Sequence, residues 1–398
     1  MSGTRGSIRN RGDHRWQITY ELQKTPQGSR KQGYETVQGT KRDAQRRLNE
    51  ILAEIQAGKY IEPSKLLVSV FYHRWIGAIG PSLAKKTLDE YKKMGDNHII
   101  PYFGNMLMCN VEPLSIQEYY NYLGEKGRIK KTLKPRKEGA PPHKIMPDGL
   151  SPLTIRHHHT LLHKMFADAV HWKKIPFNPF DFVKPPKVEK TKMKVLSKEE
   201  VKDLCDHFMS NKYYIAIVLA ISTGMRRGEI LALKWDDVDL ESQKPHVIVR
   251  QSLQQTNGRV ISFKETKTGK IRKIPISRKT VNELIKHRSK QAENKLLLGA
   301  EYEDNDLVCC QPDGKMIIPD ILSNVFEAHI NRMKITQVRF HDLRHTYVSL
   351  LIAQGEHMKV ISELLGHSSI SITMDRYGHL LPTLADAVAE RFDEALGW

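Results

Sequence analysis

The sequence predicts a multidomain chain: a small N-terminal β-sheet plus helix, an all-α middle, and a mainly α C-terminal region holding one small antiparallel sheet. Three observations predict it. The 398 residues exceed what one ordinary domain needs and suffice for two or three, each with its own core. The apolar pattern changes near Thr40 from strict alternation to helical spacing. Proline and lysine cluster at Pro63-Ser64 and again from Val183 to Lys194, where linkers would lie.

The expected first domain is 1–62. Trp16, Ile18, Tyr20 and Leu22 alternate with polar residues, a Pro26-Gln27-Gly28 turn follows, and residues 32–37 return as a strand of a three-stranded antiparallel sheet. Thr40 then caps a helix with Asp43 three positions on, and Ala44, Leu48, Ile51, Leu52 and Ile55 give that helix a face to lay on the sheet. Arg9, Arg11, Arg15, Lys41, Arg42, Arg46 and Arg47 form a basic cluster beyond what solubility requires.

The second domain, 63–186, reads as helical over 67–76, 82–99, 115–122 and 152–172, with Ile155, Leu162, Met165, Phe166 and Ala169 on one face of the last. Residues 124–149 lose all apolar periodicity and read as a basic loop. The run His157-His158-His159 does not suggest a metal site, because consecutive helical residues point in different directions. Histidines on the surface or facing DNA are expected there.

The third domain, 187–398, opens with Ser197 capping a helix and Glu200 completing the box. A buried helix over 213–221 follows, then strands over 247–249, 260–263 and 271–276 with Asn257-Gly258 and Thr268-Gly269 turns. Helices return over 279–297, 320–334 and from Asp342 almost to the end. Pro382 breaks the pattern before a last amphipathic helix, 383–396, whose stripe is Leu384, Val388, Phe392, Ala395 and Leu396.

Lys plus Arg number 63 against 45 Asp plus Glu, a net charge of +18, which points to a polyanionic partner and first to nucleic acid. With 39% hydrophobic residues the chain is a folded basic protein, not a disordered basic tail. Cys109, Cys205, Cys309 and Cys310 form no C-x-x-C pair and read as reduced, buried thiols of a cytoplasmic protein. The N-terminus has no apolar stretch behind its charges and no later segment suits a bilayer, so neither export nor membrane is expected.

Four clusters in the third domain share one chemical theme, a phosphodiester held by cations beside proton carriers and a nucleophile. Thr223-Gly224-Met225-Arg226-Arg227-Gly228-Glu229 puts arginines where one helix ends and another begins, and a guanidinium fork grips phosphate. Lys264 to Lys270 forms a strand-turn-strand that carries a lysine to a hairpin tip. His341-Asp342-Leu343-Arg344-His345 sets His341 and Arg344 one helical turn apart on one face. Leu364-Leu365-Gly366-His367 and then Asp375-Arg376-Tyr377-Gly378-His379-Leu380 add an imidazole and a phenol.

In this order the clusters resemble the active-site pattern of the tyrosine recombinases, specifically the integrases of phages and conjugative transposons. The resemblance spans essentially the whole chain. It implies an arm-type DNA-binding domain at the start, a core-binding domain in the middle and a catalytic domain after it. It implies Arg226, rather than Arg227, and Arg344 as phosphate-binding arginines, His341 and His367 as proton-capable partners, and Tyr377 as the nucleophile that forms a 3′-phosphotyrosyl bond. The hairpin lysine of the family falls on Lys267, with Lys264 and Lys270 as alternatives. The basic loop is longer than the usual family connection. The resemblance further implies double-stranded DNA with core and arm sites as substrate, a homotetramer on DNA, and no metal or other cofactor. A host bending protein and an excisionase would be the accessory partners. The work of such an enzyme is the integration or excision of a mobile element, and its C-terminal helix is expected to dock on a neighbouring protomer.

Overall fold

The computed structural model describes residues 6–22, 32–57, 60, 65–129, 147–189, 193–255, 261–265, 269, 271–380, 388 and 392–397. The chain divides into two compact units, Met1–Lys190 and Thr191–Trp398.

The first unit begins with an antiparallel sheet of β1 (Gly6–Asn10), β2 (Arg15–Glu21) and β3 (Gln32–Gln38), in that order. Alternation along β2 turns Ile18 and Tyr20 inward, where Ala44, Leu48, Ile51 and Ile55 of helix α1 (Lys41–Gln56) cover them. Thr40 caps that helix as expected: its hydroxyl accepts from the Asp43 backbone while the Asp43 carboxylate accepts from the Thr40 backbone at 2.9 Å. Such a cap contributes roughly 1 kcal/mol.

A second apolar cluster gathers helices α2 (Val68–Ile79), α3 (Lys85–Met94), α4 (Ile100–Phe103), α5 (Pro113–Lys126) and α6 (Pro152–His171). The helix expected over 82–99 runs without a break from Lys85 to Phe103, and after Met94 its backbone widens into a π turn, Gly95–Ile99. Tyr72 packs against this turn: its hydroxyl donates to the Tyr91 carbonyl at 2.9 Å and lies where a side chain on Gly95 would have to go. One residue of the triple histidine departs from expectation, while His157 is exposed as expected. His158 is 1% exposed, not on the surface, and its Nδ1 meets the Tyr119 hydroxyl at 3.0 Å; His159 pairs with Tyr120 at 2.6 Å. Two adjacent tyrosines on α5 thus hold two adjacent histidines on α6. The basic loop expected over 124–149 falls mostly outside the described residues; at its ends, Arg128 N donates to the Asp148 carbonyl and Leu150 N to that of Leu123.

In the second unit, α7 (Lys198–Phe208), α8 (Tyr214–Thr223), α9 (Arg227–Leu231), α10 (Arg278–Leu298) and α11 (Pro319–Ile330) enclose one core with the strands. Where one sheet was expected there are two. β4 (Val238–Asp239), β5 (His246–Val249) and β8 (Arg272–Pro275) form a three-stranded sheet, and β6 (Gln251–Gln255) pairs with β7 (Ile261–Glu265) separately. Strand β6 offers only Leu253 to the core, so its alternation is hidden among glutamines. The helical stretch expected from Asp342 consists of three helices among the described residues: α12 (Asp342–Ala353), α13 (Met358–Leu365) and α14 (Ile370–Tyr377). Gly355 and Gly366, at φ of 81° and 65°, end the first two in left-handed turns that other residues adopt only at a cost. The helix expected over 383–396 falls mostly outside the described residues, which there include only Val388 and 392–397.

Of the four cysteines expected to be buried, Cys309 and Cys310 are; Cys205 is half-buried and Cys109, on a surface turn at Met108–Asn110, is exposed. Among the described residues, no helix is long and apolar enough to cross a membrane.

Candidate active site

The site is built at the corner between α8 and α9. Apolar α8 ends at Gly224 in the left-handed conformation, φ 62°, and a Cβ there would lie 2.3 Å from the Tyr347 ring, so both backbone and space require glycine. The chain then extends through Arg226, which serves as the N-cap of α9. Its backbone donates to Glu229 at 2.8 Å and its guanidinium at 2.9 Å, leaving the side chain 27% exposed. Arg227 turns away and donates to the Pro319 carbonyl at 2.8 Å.

From α12, Arg344 reaches into the same corner. It is 4% exposed and donates to the Gly224 carbonyl at 2.8 Å, to the Leu365 carbonyl at 2.8 Å and to His367 Nε2 at 3.1 Å. Burial and the nearby Arg226 push its guanidinium down to about 9, which leaves it a cation at neutral pH. Because a guanidinium can only donate, His367 Nε2 is an acceptor, and the ring proton sits on Nδ1, 2.8 Å from the Thr373 hydroxyl. Burial, then Arg344 and Arg226, push His367 down to about 4, so the ring is neutral.

His341 stands at the N-terminus of α12, exposed to solvent, with its ring edge-on to His345 at 5.5 Å. The surrounding protein, then His345 and Arg344, hold its imidazole below the usual histidine value. Tyr377 ends α14 and is 1% exposed, its hydroxyl 2.6 Å from His345 Nδ1. Burial raises the phenol above its ordinary value against the pull of Arg344 and Arg376, and burial lowers His345. The proton therefore stays on the tyrosine, which donates to a neutral imidazole.

Five of the six residues expected in the site thus surround one corner: Arg226, His341, Arg344, His367 and Tyr377. The sixth, Lys267, lies outside the described residues, as does Lys270; Lys264 is exposed on β7. Three further residues belong to the arrangement without having been assigned to it. Glu229 is 2% exposed and also accepts from Arg272 at 2.5 and 3.1 Å; burial would raise its carboxyl, but hydrogen bonds and charge from Arg272, with Arg226, hold it below the carboxylate range. The spacing of Arg226 and Glu229, that of a capping box, could have revealed it. His345 stands beside Arg344 in the motif, but neighbourhood in sequence does not reveal its bond to Tyr377. No local signal marks Arg272.

The profile of the Phage integrase family matches residues 194–383, and that of the Phage integrase N-terminal SAM-like domain matches 68–124. The ICEBs1 integrase of Bacillus subtilis is 33% identical over 258 residues, covering 63% of this chain and 68% of the relative. A "Tyrosine recombinase XerC-like" protein of Caldanaerobacter subterraneus is 27% identical over 363 residues, 86% of this chain and 87% of the relative. Among solved structures, a Tn1549 transposon integrase in complex with transposon right end DNA superposes with a TM-score of 0.67 at 21% identity, covering 82% of this chain and 99% of that one. A lambda integrase dimer bound to a COC′ core site gives 0.53 at 16% identity, with 94% of each chain covered.

Proposed function

The chain belongs to the phage integrase family of tyrosine recombinases, and from that premise we propose that Tyr377 attacks a DNA phosphate held by Arg226 and Arg344. It is a DNA recombinase, an enzyme that cuts and rejoins strands by transesterification. The observation that carries the residue assignment is the junction at Arg344. One buried guanidinium joins the loop of Arg226, through the Gly224 carbonyl, to His367, and it lies near enough to Tyr377 to influence its phenol.

In-line attack forms a bond between the Tyr377 oxygen and phosphorus and breaks the bond to the 5′ oxygen. Extra negative charge develops on the non-bridging oxygens, where two guanidiniums act in place of a metal ion. The departing 5′ oxygen takes a proton from Lys267, and neutral His341 accepts the phenol proton. When the phosphate draws the Arg344 hydrogen away from His367 Nε2, that nitrogen is released to pick up a proton and donate to the same phosphate. The resulting 3′-phosphotyrosyl bond keeps the phosphodiester energy, so a free 5′ hydroxyl from a second duplex reverses the step without ATP.

The buried phenol bonded to His345 is a resting arrangement, since a hydroxyl that is 1% exposed as a residue has no path to a phosphate. Attack requires that bond to break. The wider reading takes 1–62 as an arm-site binding module, 63–186 as a core-site binding module and 187–398 as the catalytic module. Four copies then exchange strands of two duplexes in the cytoplasm to integrate or excise a mobile element, with a host bending protein and an excisionase setting direction.

A core-site duplex nicked so that the cleaved strand cannot rejoin tests the assignment. Wild-type protein should accumulate a covalent adduct, while Tyr377→Phe, which removes only the hydroxyl, should bind the duplex and form none. An adduct surviving in that variant overturns the choice of nucleophile.

A further inference from the structure

We propose that Arg272 of strand β8 is a positioning residue of this active site, holding the Glu229 carboxylate so that Arg226 keeps its positive charge for the scissile phosphate. The inference rests on the recombinase reading above. Arg272 itself touches no substrate: its side chain is 8% exposed, and Nε, Nη1 and Nη2 are all engaged within the protein.

The case begins with charge. A buried carboxylate beside Arg226 would, as a lone partner, cancel the guanidinium that must meet the phosphate. The carboxylate oxygens of Glu229 accept two bonds from Arg226, at 2.8 and 2.9 Å, and two from Arg272, at 3.1 and 2.5 Å. Two cations share one anion, and the corner retains a net positive charge in a setting where little water screens it. Glu229 can then hold Arg226 in place without neutralising it.

Geometry adds a second line. Arg272 Nε donates to the Leu364 carbonyl at 2.9 Å, and Arg344 donates to the next carbonyl, Leu365, at 2.8 Å. The two guanidiniums together hold the end of α13, from which His367 follows. Gly366, at φ 65°, completes the fit, since a Cβ there would lie 3.0 Å from Arg272 Cδ and Nη1. Arg272 also stands two positions beyond residue 270, at the end of the segment that carries Lys267. One side chain therefore ties the Arg226 loop and the His367 turn to the strand that follows the lysine segment.

A double-mutant cycle on the full chain separates this role from simple structural support. Cleavage is read as single-turnover adduct formation on the nicked core duplex, binding as the Kd for the same duplex, and folding as the thermal midpoint. Arg272→Met should slow cleavage by about a hundredfold while Kd changes by less than about threefold, in the range seen when one charge-stabilising donor is removed. Arg272→Lys, which restores charge without the fork, should recover part of the loss. In a Glu229→Gln background, where no carboxylate is left to capture Arg226, the further cost of Arg272→Met should shrink to less than about tenfold. If Arg272→Met alone fails to fold, Glu229→Gln against Glu229→Gln/Arg272→Met still decides. An undiminished cost in that background, or wild-type cleavage by Arg272→Met, overturns the proposal. A wild-type chain that forms no adduct overturns the recombinase reading and this inference with it; an adduct without the coupling overturns this inference alone.

Discussion

At the scale of single residues, the proposed mechanism requires groups that exchange partners when DNA arrives. Arg344 makes three donations at once through a planar fork, to two carbonyls and to His367. Lysine keeps the charge but cannot span those acceptors, so Arg344→Lys should lower single-turnover cleavage by about a hundredfold and leave specific DNA affinity nearly unchanged. Equal losses in cleavage and affinity would make Arg344 a structural arginine. His345 holds the phenol in its resting place through one hydrogen bond of 2.6 Å. Removing the acceptor leaves a buried hydroxyl unpaired and favours its departure, so His345→Ala should raise adduct formation on an isolated half-site by about fivefold, the equivalent of ~1 kcal/mol. His345→Asn, with an acceptor near the position of Nδ1, should stay close to wild type. If adduct formation falls in both variants, the resting role is wrong and His345 assists the attack directly.

At the scale of elements, the pairing of α5 with α6 carries a pH dependence. Burial pushes His158 from 6.5 down to about 3. Above 6.5 the ring is neutral in folded and unfolded chains alike, and its contribution is fully present. As pH falls from 6.5 towards 3 the unfolded chain binds a proton that the folded one refuses, and stability drops by about 1.4 kcal/mol per pH unit in that window. His98, edge-on at 5.1 Å and also lowered by burial, adds to the same slope. Hydrogen-exchange protection of α5 and α6 should therefore weaken from pH 7 to pH 5, and His158→Leu should lessen that decline; identical declines would exclude His158 as a source. The position of this buried histidine was legible, since 158 lies three residues after Ile155 and four before Leu162 on the apolar face of α6; what the run of histidines does not show is the pair of tyrosines on α5 that meets it. Local patterns fared better. The Thr40 and Ser197 boxes, the Gly224 break and the alternation along β2 are each written within a few residues. The motif residues that crowd the corner were legible for the same reason, each lying in its own short signature. Arg272 and His345 matter through partners 32 to 92 positions away, and spacing along the chain does not show that; of the partners of Glu229, only Arg226 is local.

At the scale of the whole molecule, a net charge of +18 should give phosphate contacts a large share of DNA affinity, so binding should weaken steeply with salt. Affinity spread in this way would leave the proposed catalytic corner to discriminate the transition state from the ground state. The N-terminal sheet and α1 bear on how those tasks are divided. Their apolar cluster, from Ile8 to Tyr60, shares no member with the cluster that begins at Leu66 and joins α2 to α6. The helix carries its own capping box, and Arg42 and Arg46 lie exposed on it while Arg9 and Arg11 lie exposed on and beside β1. A segment with its own core and a basic exterior is suited to bind DNA by itself. Removing 1–62 takes away no residue of the Arg344 corner, so cleavage of a short core duplex should proceed within about threefold of wild type at low salt, where fewer lost phosphate contacts are felt. Recombination between long substrates carrying flanking sequence should fall by about a hundredfold or more, since linkage through a second site raises effective concentration by that order. Footprinting should show protection outside the core that disappears with the deletion. If the shortened chain recombines long and short substrates equally well compared with wild type, 1–62 binds no second site and its basic face serves the core duplex itself.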